Sequence, residues 1–185
     1  MAFFLLNFSV LKTKVEISPL FFVVLTAFLI TDRMGIALWV VVFSLIHEFS
    51  HFLILIFCRE APAKVSLKAM GIQMELSDSM EKSVKIAVLS AGFLTNFILS
   101  ALFFSLKNSV FCMINLFLGI FTAFPAPSTD GGTVLKEIFP RHTVMFIARM
   151  TGTTVFFFLL ILLIKFRNPC FLLPVFYLVI ASLNY

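Results

Sequence analysis

Apolar residues run along this chain in long blocks separated by short polar joints. Six blocks stand out: Ile17–Ile30, Gly35–Phe57, Val84–Leu106, Val110–Pro125, Val144–Ile164 and Cys170–Leu183. A helix needs about 20 apolar residues to cross the hydrocarbon of a bilayer. The second, third and fifth blocks meet that length, and the other three must borrow flanking residues. Alternation appears in two of the joints. Thr13–Ile17 reads TKVEI, and Ala63–Leu76 reads AKVSLKAMGIQMEL, alternating on both sides of Met70-Gly71. The second pattern predicts a hairpin turning at Met70-Gly71, joined by the first strand in a small sheet. The expected fold is an all-α membrane protein of about six transmembrane helices with a small membrane-proximal β-sheet or hairpin. No internal repeat, low-complexity stretch or linker interrupts it, so residues 1–185 read as a single polytopic domain. Met1–Leu11 is apolar but has no basic start and no small-residue cleavage site, so it reads as an interfacial segment and not a removable signal peptide.

Composition supports the membrane reading. Hydrophobic residues make up 61% of the 185, Phe alone occurs 26 times, and mean hydropathy is +1.11. A soluble domain of this length has too little interior to hide that fraction. The formal charge is +5, but the basic residues sit between apolar blocks and form no stripe with interleaved aromatics. Nucleic acid is therefore not an expected partner, and the lipid bilayer is. With a cytoplasmic N-terminus, Lys12, Lys14, Arg59, Lys64, Lys68, Lys82, Lys85, Lys136, Arg141 and Arg149 fall on the cytoplasmic side. Arg33, Lys107, Lys165 and Arg167 fall outside. The imbalance favours a multi-pass protein of the cell membrane with both termini cytoplasmic. Cys58, Cys112 and Cys170 are scattered, which indicates neither a disulfide framework nor a thiolate metal site.

Within the second block lies His47-Glu48-Phe49-Ser50-His51. Residues i and i+4 share a helix face, so both imidazoles can hold one zinc. Glu48 then sits beside the open coordination position, where a carboxylate can take a proton from water. Ionisable groups inside a span are costly and usually functional; the competing reading is a polar knot satisfied by neighbouring helices. A catalytic zinc needs a third protein ligand. Asp130 is favoured because it ends an apolar block and precedes Gly131-Gly132, a pair that permits close backbone approach and positive φ. Its alternative role is an N-cap for a helix over Thr133–Phe139. His142, beside Arg141 and after Pro140, is the weaker candidate ligand. His51 stands six residues before Phe57, about 9 Å from the end of that span at 1.5 Å per residue. With a cytoplasmic N-terminus this places the site near the cytoplasmic face, at the depth expected for Asp130.

At these residues the chain resembles the site-2 protease family of intramembrane zinc metalloproteases. HEFSH (47–51) matches the family's zinc helix. Ala91-Gly92-Phe93-Leu94-Thr95-Asn96 is similar to its AGPxxN segment, with Phe93 in place of the proline. PAPSTDGG (125–132) is similar to its NxxPxxPxDGG segment. Two departures stand out: the family asparagine eight positions before the aspartate falls at Thr122, and the second proline comes one position early, at Pro127. The resemblance covers a protease core of about residues 10–140. It implies zinc held by His47, His51 and Asp130, with Glu48 as the catalytic base. It also implies that Asn96 binds substrate or supports the active site; Thr122 offers a hydroxyl, and not an amide, for such a role. The short six-span plan, with the zinc helix second, looks closest to the sporulation branch, that of stage IV sporulation protein FB. The C-terminal nucleotide-sensing domain of that branch is not expected within residues 1–185.

The implied function is an intramembrane zinc metalloendopeptidase that hydrolyses peptide bonds in membrane-embedded segments of a protein substrate. Within the sporulation branch the substrate would be a membrane-associated pro-sigma factor, and a membrane regulatory protein is a further partner. The competing reading is a catalytically inactive relative that binds membrane segments, which the changes at Thr122 and Pro127 favour and an intact Glu48 opposes. A zinc transporter would need polar groups across the whole bilayer, and the fifth and sixth blocks offer almost none.

Overall fold

The computed structural model describes residues 6–166 apart from 11–12, 33–34, 69–70 and 127–128. The chain divides into two compact units, Met1–Gly119 and Ile120–Tyr185.

The first unit opens with strands β1 (Leu6–Val10) and β2 (Thr13–Ile17), then helices α1 (Pro19–Thr31) and α2 (Ile36–Phe57). Strands β3 (Lys64–Lys68) and β4 (Gly71–Glu75), helix α3 (Lys82–Ser105) and most of α4 (Ser109–Ala123) follow. The four strands form one sheet in the order β1-β2-β3-β4. The hairpin expected over Ala63–Leu76 is present as the antiparallel β3–β4 pair, and Thr13–Ile17 joins it as a parallel neighbour, with Val15 opposite Val65. A parallel pair requires a crossover, and here α1 and α2 supply it. The sheet thus ties down both ends of the segment that carries the HExxH motif. Within the segment read as interfacial, Leu6–Val10 is a strand, paired antiparallel with β2.

Lys64 reaches across the sheet to Glu16 at 3.0 Å and stands 4.0 Å from Glu75. The hydrogen bond to Glu16, aided by the charge of Glu75, raises the Lys64 ammonium above its ordinary pKa against a smaller opposing effect of desolvation. Such a pair has its full effect below the unfolded lysine pKa and loses it as pH rises through the folded value.

Helix boundaries follow local chemistry. Pro19 occupies the first turn of α1, where its missing N–H costs nothing. Asp32 Oδ2 accepts the Ala37 N–H at 2.7 Å, satisfying one of the free donors at the start of α2. Gly35 just before that helix has φ of 70°, a left-handed conformation that glycine adopts without strain. Asn108 Oδ1 accepts the Phe111 N–H at 3.1 Å in the first turn of α4. Two clusters join the helices. Trp39 and Phe43 of α2 meet Phe103 and Phe111 edge to face or tilted, with centroids 4.6–5.5 Å apart across helices. At the other end Leu55, Val88 and Met80 are buried together, with Met74 and Leu76 packed against them.

Among the described residues, two helices are long and apolar enough to cross a membrane, α2 and α3, where about six were expected. Helices α1 and α4 are only 13 and 15 residues long. At 1.5 Å per residue that is about 20 and 22 Å, short of a hydrocarbon core of about 30 Å. The last apolar block, Cys170–Leu183, lies outside the described residues. In both α2 and α3 only 28% of the most apolar window is buried, with Leu38, Leu45, Phe49, Ile56, Leu94 and Ile98 among the exposed side chains. The core helix of a soluble protein hides most of its apolar surface; these do not, and an exposed apolar surface of this extent suits lipid.

The second unit holds the end of α4, then α5 (Asp130–Ile138) and α6 (Arg141–Phe166), which pack against each other. Val144 and Ala148 lie one helical turn apart on the buried face of α6.

Candidate metal centre

The centre of α2 presents one polar stripe in an otherwise apolar helix. His47, Ser50 and His51 are buried, and Glu48 is half-buried. Their spacing puts both imidazoles on the face toward α3, the neighbour that α2 packs against most extensively. The rings stand nearly perpendicular, 83° apart. Their Nε2 atoms are 3.3 Å from each other. Two nitrogens each about 2.0–2.1 Å from one tetrahedral zinc would be about 3.3–3.4 Å apart, so the observed separation fits a shared ion.

Helix α3 supports this pair with three residues at successive i+4 positions: Val88, Gly92 and Asn96. The Val88 carbonyl lies 2.6 Å from His51 Nδ1. A carbonyl only accepts, so His51 Nδ1 donates, and its Nε2 is left with the lone pair a metal needs. Gly92 is buried against the imidazoles: a Cβ there would stand 2.5 Å from His47 Nε2 and 2.6 Å from His51 Nε2. Asn96 is fully buried, and its side-chain nitrogen lies 3.0 Å from His47 Nδ1. On α2 itself, the Ser50 hydroxyl donates to the His47 carbonyl at 2.6 Å.

In the second unit, Asp130 is the first residue of α5, in the turn where a carboxylate is favoured by the helix dipole. The cap reading of Asp130 is corrected: the N-cap is Thr129, whose hydroxyl oxygen accepts from Gly132 N at 3.3 Å. The helix therefore starts three residues earlier than the Thr133 start that the cap reading required. The Thr129 hydroxyl also donates to the Phe124 carbonyl, which draws the end of the preceding segment onto the cap. The glycine pair serves close approach, since a Cβ on Gly131 or Gly132 would collide with the backbone carbonyl of Ala123 or Ala126. Neither glycine has positive φ, so the second half of the glycine expectation is not met.

Among the described residues, the imidazoles of His47 and His51 in the first unit and the carboxylate of Asp130 in the second are side chains that could hold a metal ion. A donor set of two imidazoles and a carboxylate suits zinc. His142 does not join this group; it is exposed in the first turn of α6. Thr122 lies half-buried in the last turn of α4. Pro127 lies outside the described residues. The sequence reading missed two contributors, the Val88 carbonyl and the absent Cβ of Gly92. Only the second had a signal, a glycine four residues before Asn96 in a helix. Asn115 of α4 is a further fully buried amide, donating to Phe111 O at 2.9 Å within its own helix.

No family model matches the sequence, and no curated protein matches it. Solved structures do match. The site-2 protease from Methanocaldococcus jannaschii aligns with a TM-score of 0.64 over 98% of this chain and 94% of that one, at 17% sequence identity. The chain therefore has the fold of that site-2 protease, and it carries residues that could bind a metal.

Proposed function

We propose that this protein is an intramembrane zinc metalloendopeptidase, hydrolysing peptide bonds in membrane-embedded segments of a protein substrate. The observation that carries the proposal is the His47–His51 pair. Two buried Nε2 atoms stand 3.3 Å apart in a helix apolar enough to cross a membrane, with a carboxylate between them in sequence.

In this reading His47, His51 and Asp130 hold the zinc. When bound, zinc supplies a Lewis acid that polarises the scissile carbonyl and makes water more acidic. Glu48 takes the proton of the attacking water at its carboxylate and delivers it to the leaving amine. Val88 holds the His51 ring in register, and Gly92 keeps the space beside both Nε2 atoms clear. Thr122 supports the site through its hydroxyl, and Asn96 through its amide. A helical substrate hides its carbonyls in hydrogen bonds, so it must be extended before attack. Strand β4 ends the sheet on one side, and its outer edge suits pairing with an extended segment.

The charge distribution supports cytoplasmic termini, a multi-pass arrangement in the cell membrane and a site near the cytoplasmic face. The motif order and short plan support the sporulation branch, with a membrane-associated pro-sigma factor as substrate and a membrane regulatory protein as partner. The second reading, an inactive binder of membrane segments, is favoured by Thr122 and Pro127 standing where the family pattern differs.

The test is Glu48→Gln in purified full-length protein, assayed on a tethered single-span substrate. Zinc content should stay at the wild-type level while cleavage falls by about 10²–10⁴-fold. Cleavage at the wild-type rate would remove Glu48 as the base. A zinc-loaded wild type that binds the segment and never cuts it would favour the inactive binder.

A further inference from the structure

Two imidazoles share the candidate centre, yet their outer nitrogens meet different partners. His51 Nδ1 faces a main-chain carbonyl, which leaves its tautomer no choice. His47 Nδ1 faces the side chain of Asn96, and an amide can present either a donor or an acceptor. Here it presents Nδ2, at 3.0 Å. Its Oδ1 is fully buried and has no hydrogen-bond partner. With the amide donating, His47 Nδ1 must accept, and the ring proton of neutral His47 rests on Nε2. A ring in that tautomer cannot ligate through Nε2. Turning the amide half a revolution about its last bond brings Oδ1 to Nδ1, moves the ring proton there, and frees the Nε2 lone pair 3.3 Å from that of His51.

We propose that Asn96 is the positioning residue that sets the His47 tautomer, its amide turning Oδ1 onto Nδ1 when the Nε2 lone pair is given to a metal. This rests on the metal-centre reading above. An amide suits the task where a carboxylate or an alkyl group does not. It can serve both tautomers, and it adds no net charge inside an apolar span, where charge is costly. A purely packing role for Asn96 would leave its orphan acceptor and its alignment on Nδ1 without consequence. Gly92, one turn earlier on α3, places no Cβ against the Nε2 atom of either imidazole, the atom that must be open to a metal.

The experiment uses the full chain in lipid nanodiscs, with zinc itself as the probe. Zinc dissociation constants come from chelator competition, and long-range ¹H–¹⁵N spectra of ¹⁵N-labelled protein report the His47 tautomer and the Asn96 side-chain amide. Asn96→Leu, matched in size and without an acceptor, should weaken zinc binding by about 10- to 100-fold, while Asn96→Asp, a permanent acceptor, should stay within about threefold of wild type or bind more tightly. In the wild type, zinc should move the His47 proton from Nε2 to Nδ1 and shift the Asn96 amide signal. Equal zinc affinity in Asn96→Leu and wild type would overturn the proposal, as would Asn96→Asp binding as weakly as Asn96→Leu. If the leucine variant fails to fold, the wild-type spectra decide: an Asn96 amide and a His47 tautomer unaffected by zinc would overturn it. A folded wild type that binds no zinc would instead overturn the metal-centre reading itself, which separates the two failures.

Discussion

His51 Nδ1 stands 2.6 Å from the Val88 carbonyl, so a main-chain atom of α3 fixes the tautomer of a side chain on α2. The same residue anchors the helix, because the Val88 side chain packs with Leu55 and Met80 in the buried cluster at the sheet end of α2 and α3. Orientation of the imidazole and packing of the helices are therefore one feature. A histidine ring held by a partner that cannot donate keeps Nε2 available as a ligand, and such outer partners commonly account for 10- to 100-fold of metal affinity.

Gly92 gives the sharpest steric prediction. Alanine should favour the helix by up to about 1 kcal/mol, yet its methyl would intrude on both Nε2 atoms. Gly92→Ala should therefore lose zinc affinity by at least an order of magnitude while far-ultraviolet circular dichroism stays unchanged. Zinc titration of the purified variant reads this directly. Undiminished affinity would show that α3 can yield at this point.

Metal removal should cost stability by an amount that grows with the logarithm of the free zinc concentration. At a free zinc concentration 100 times the dissociation constant, the folded state gains about 2.7 kcal/mol over the metal-free protein. Thermal unfolding with and without a chelator should show this gain in the wild type. His51→Ala should erase the difference between the two curves. A chelator-sensitive midpoint that persists in His51→Ala would place the stabilising metal elsewhere.

The cap of α5 makes a prediction in the second unit. Thr129→Val keeps the shape and removes the hydroxyl that accepts from Gly132 N, which should cost about 1 kcal/mol in unfolding experiments. Thr129→Ser should restore most of it. A valine variant as stable as wild type would mean that the hydroxyl contributes only locally. Gly132→Ala should be more damaging than Thr129→Val, since its methyl meets the Ala126 main chain, which cannot rotate away as a side chain can.

The elements easiest to read were those whose signal is periodic. The block ending at Phe57 became α2, which ends at Phe57, because a long apolar run bounded by Gly35 and Cys58-Arg59 leaves a helix few other ends. The hairpin at 63–76 was legible because polar and apolar residues alternate there. Leu6–Val10 was not. Its alternation lies inside a run that is apolar as a whole, and its pairing with Thr13–Ile17 is a tertiary fact. His47, His51 and Asp130 were legible as side-chain chemistry. The Val88 carbonyl was not, since every residue carries one and only the fold selects which matters. The N-cap fell to Thr129 because a β-region residue immediately before the helix can turn its hydroxyl onto Gly132 N, which leaves Asp130 inside the first turn.

The most direct test of the metal centre is zinc K-edge X-ray absorption on the purified full-length protein. The account predicts about one zinc per chain, with two imidazole nitrogens at about 2.0–2.1 Å, the remaining light-atom ligands at about 2.0–2.2 Å, and no sulfur shell. It also predicts loss of one imidazole in His47→Ala. A sulfur shell near 2.3 Å, or a zinc environment unchanged in His47→Ala, would contradict it.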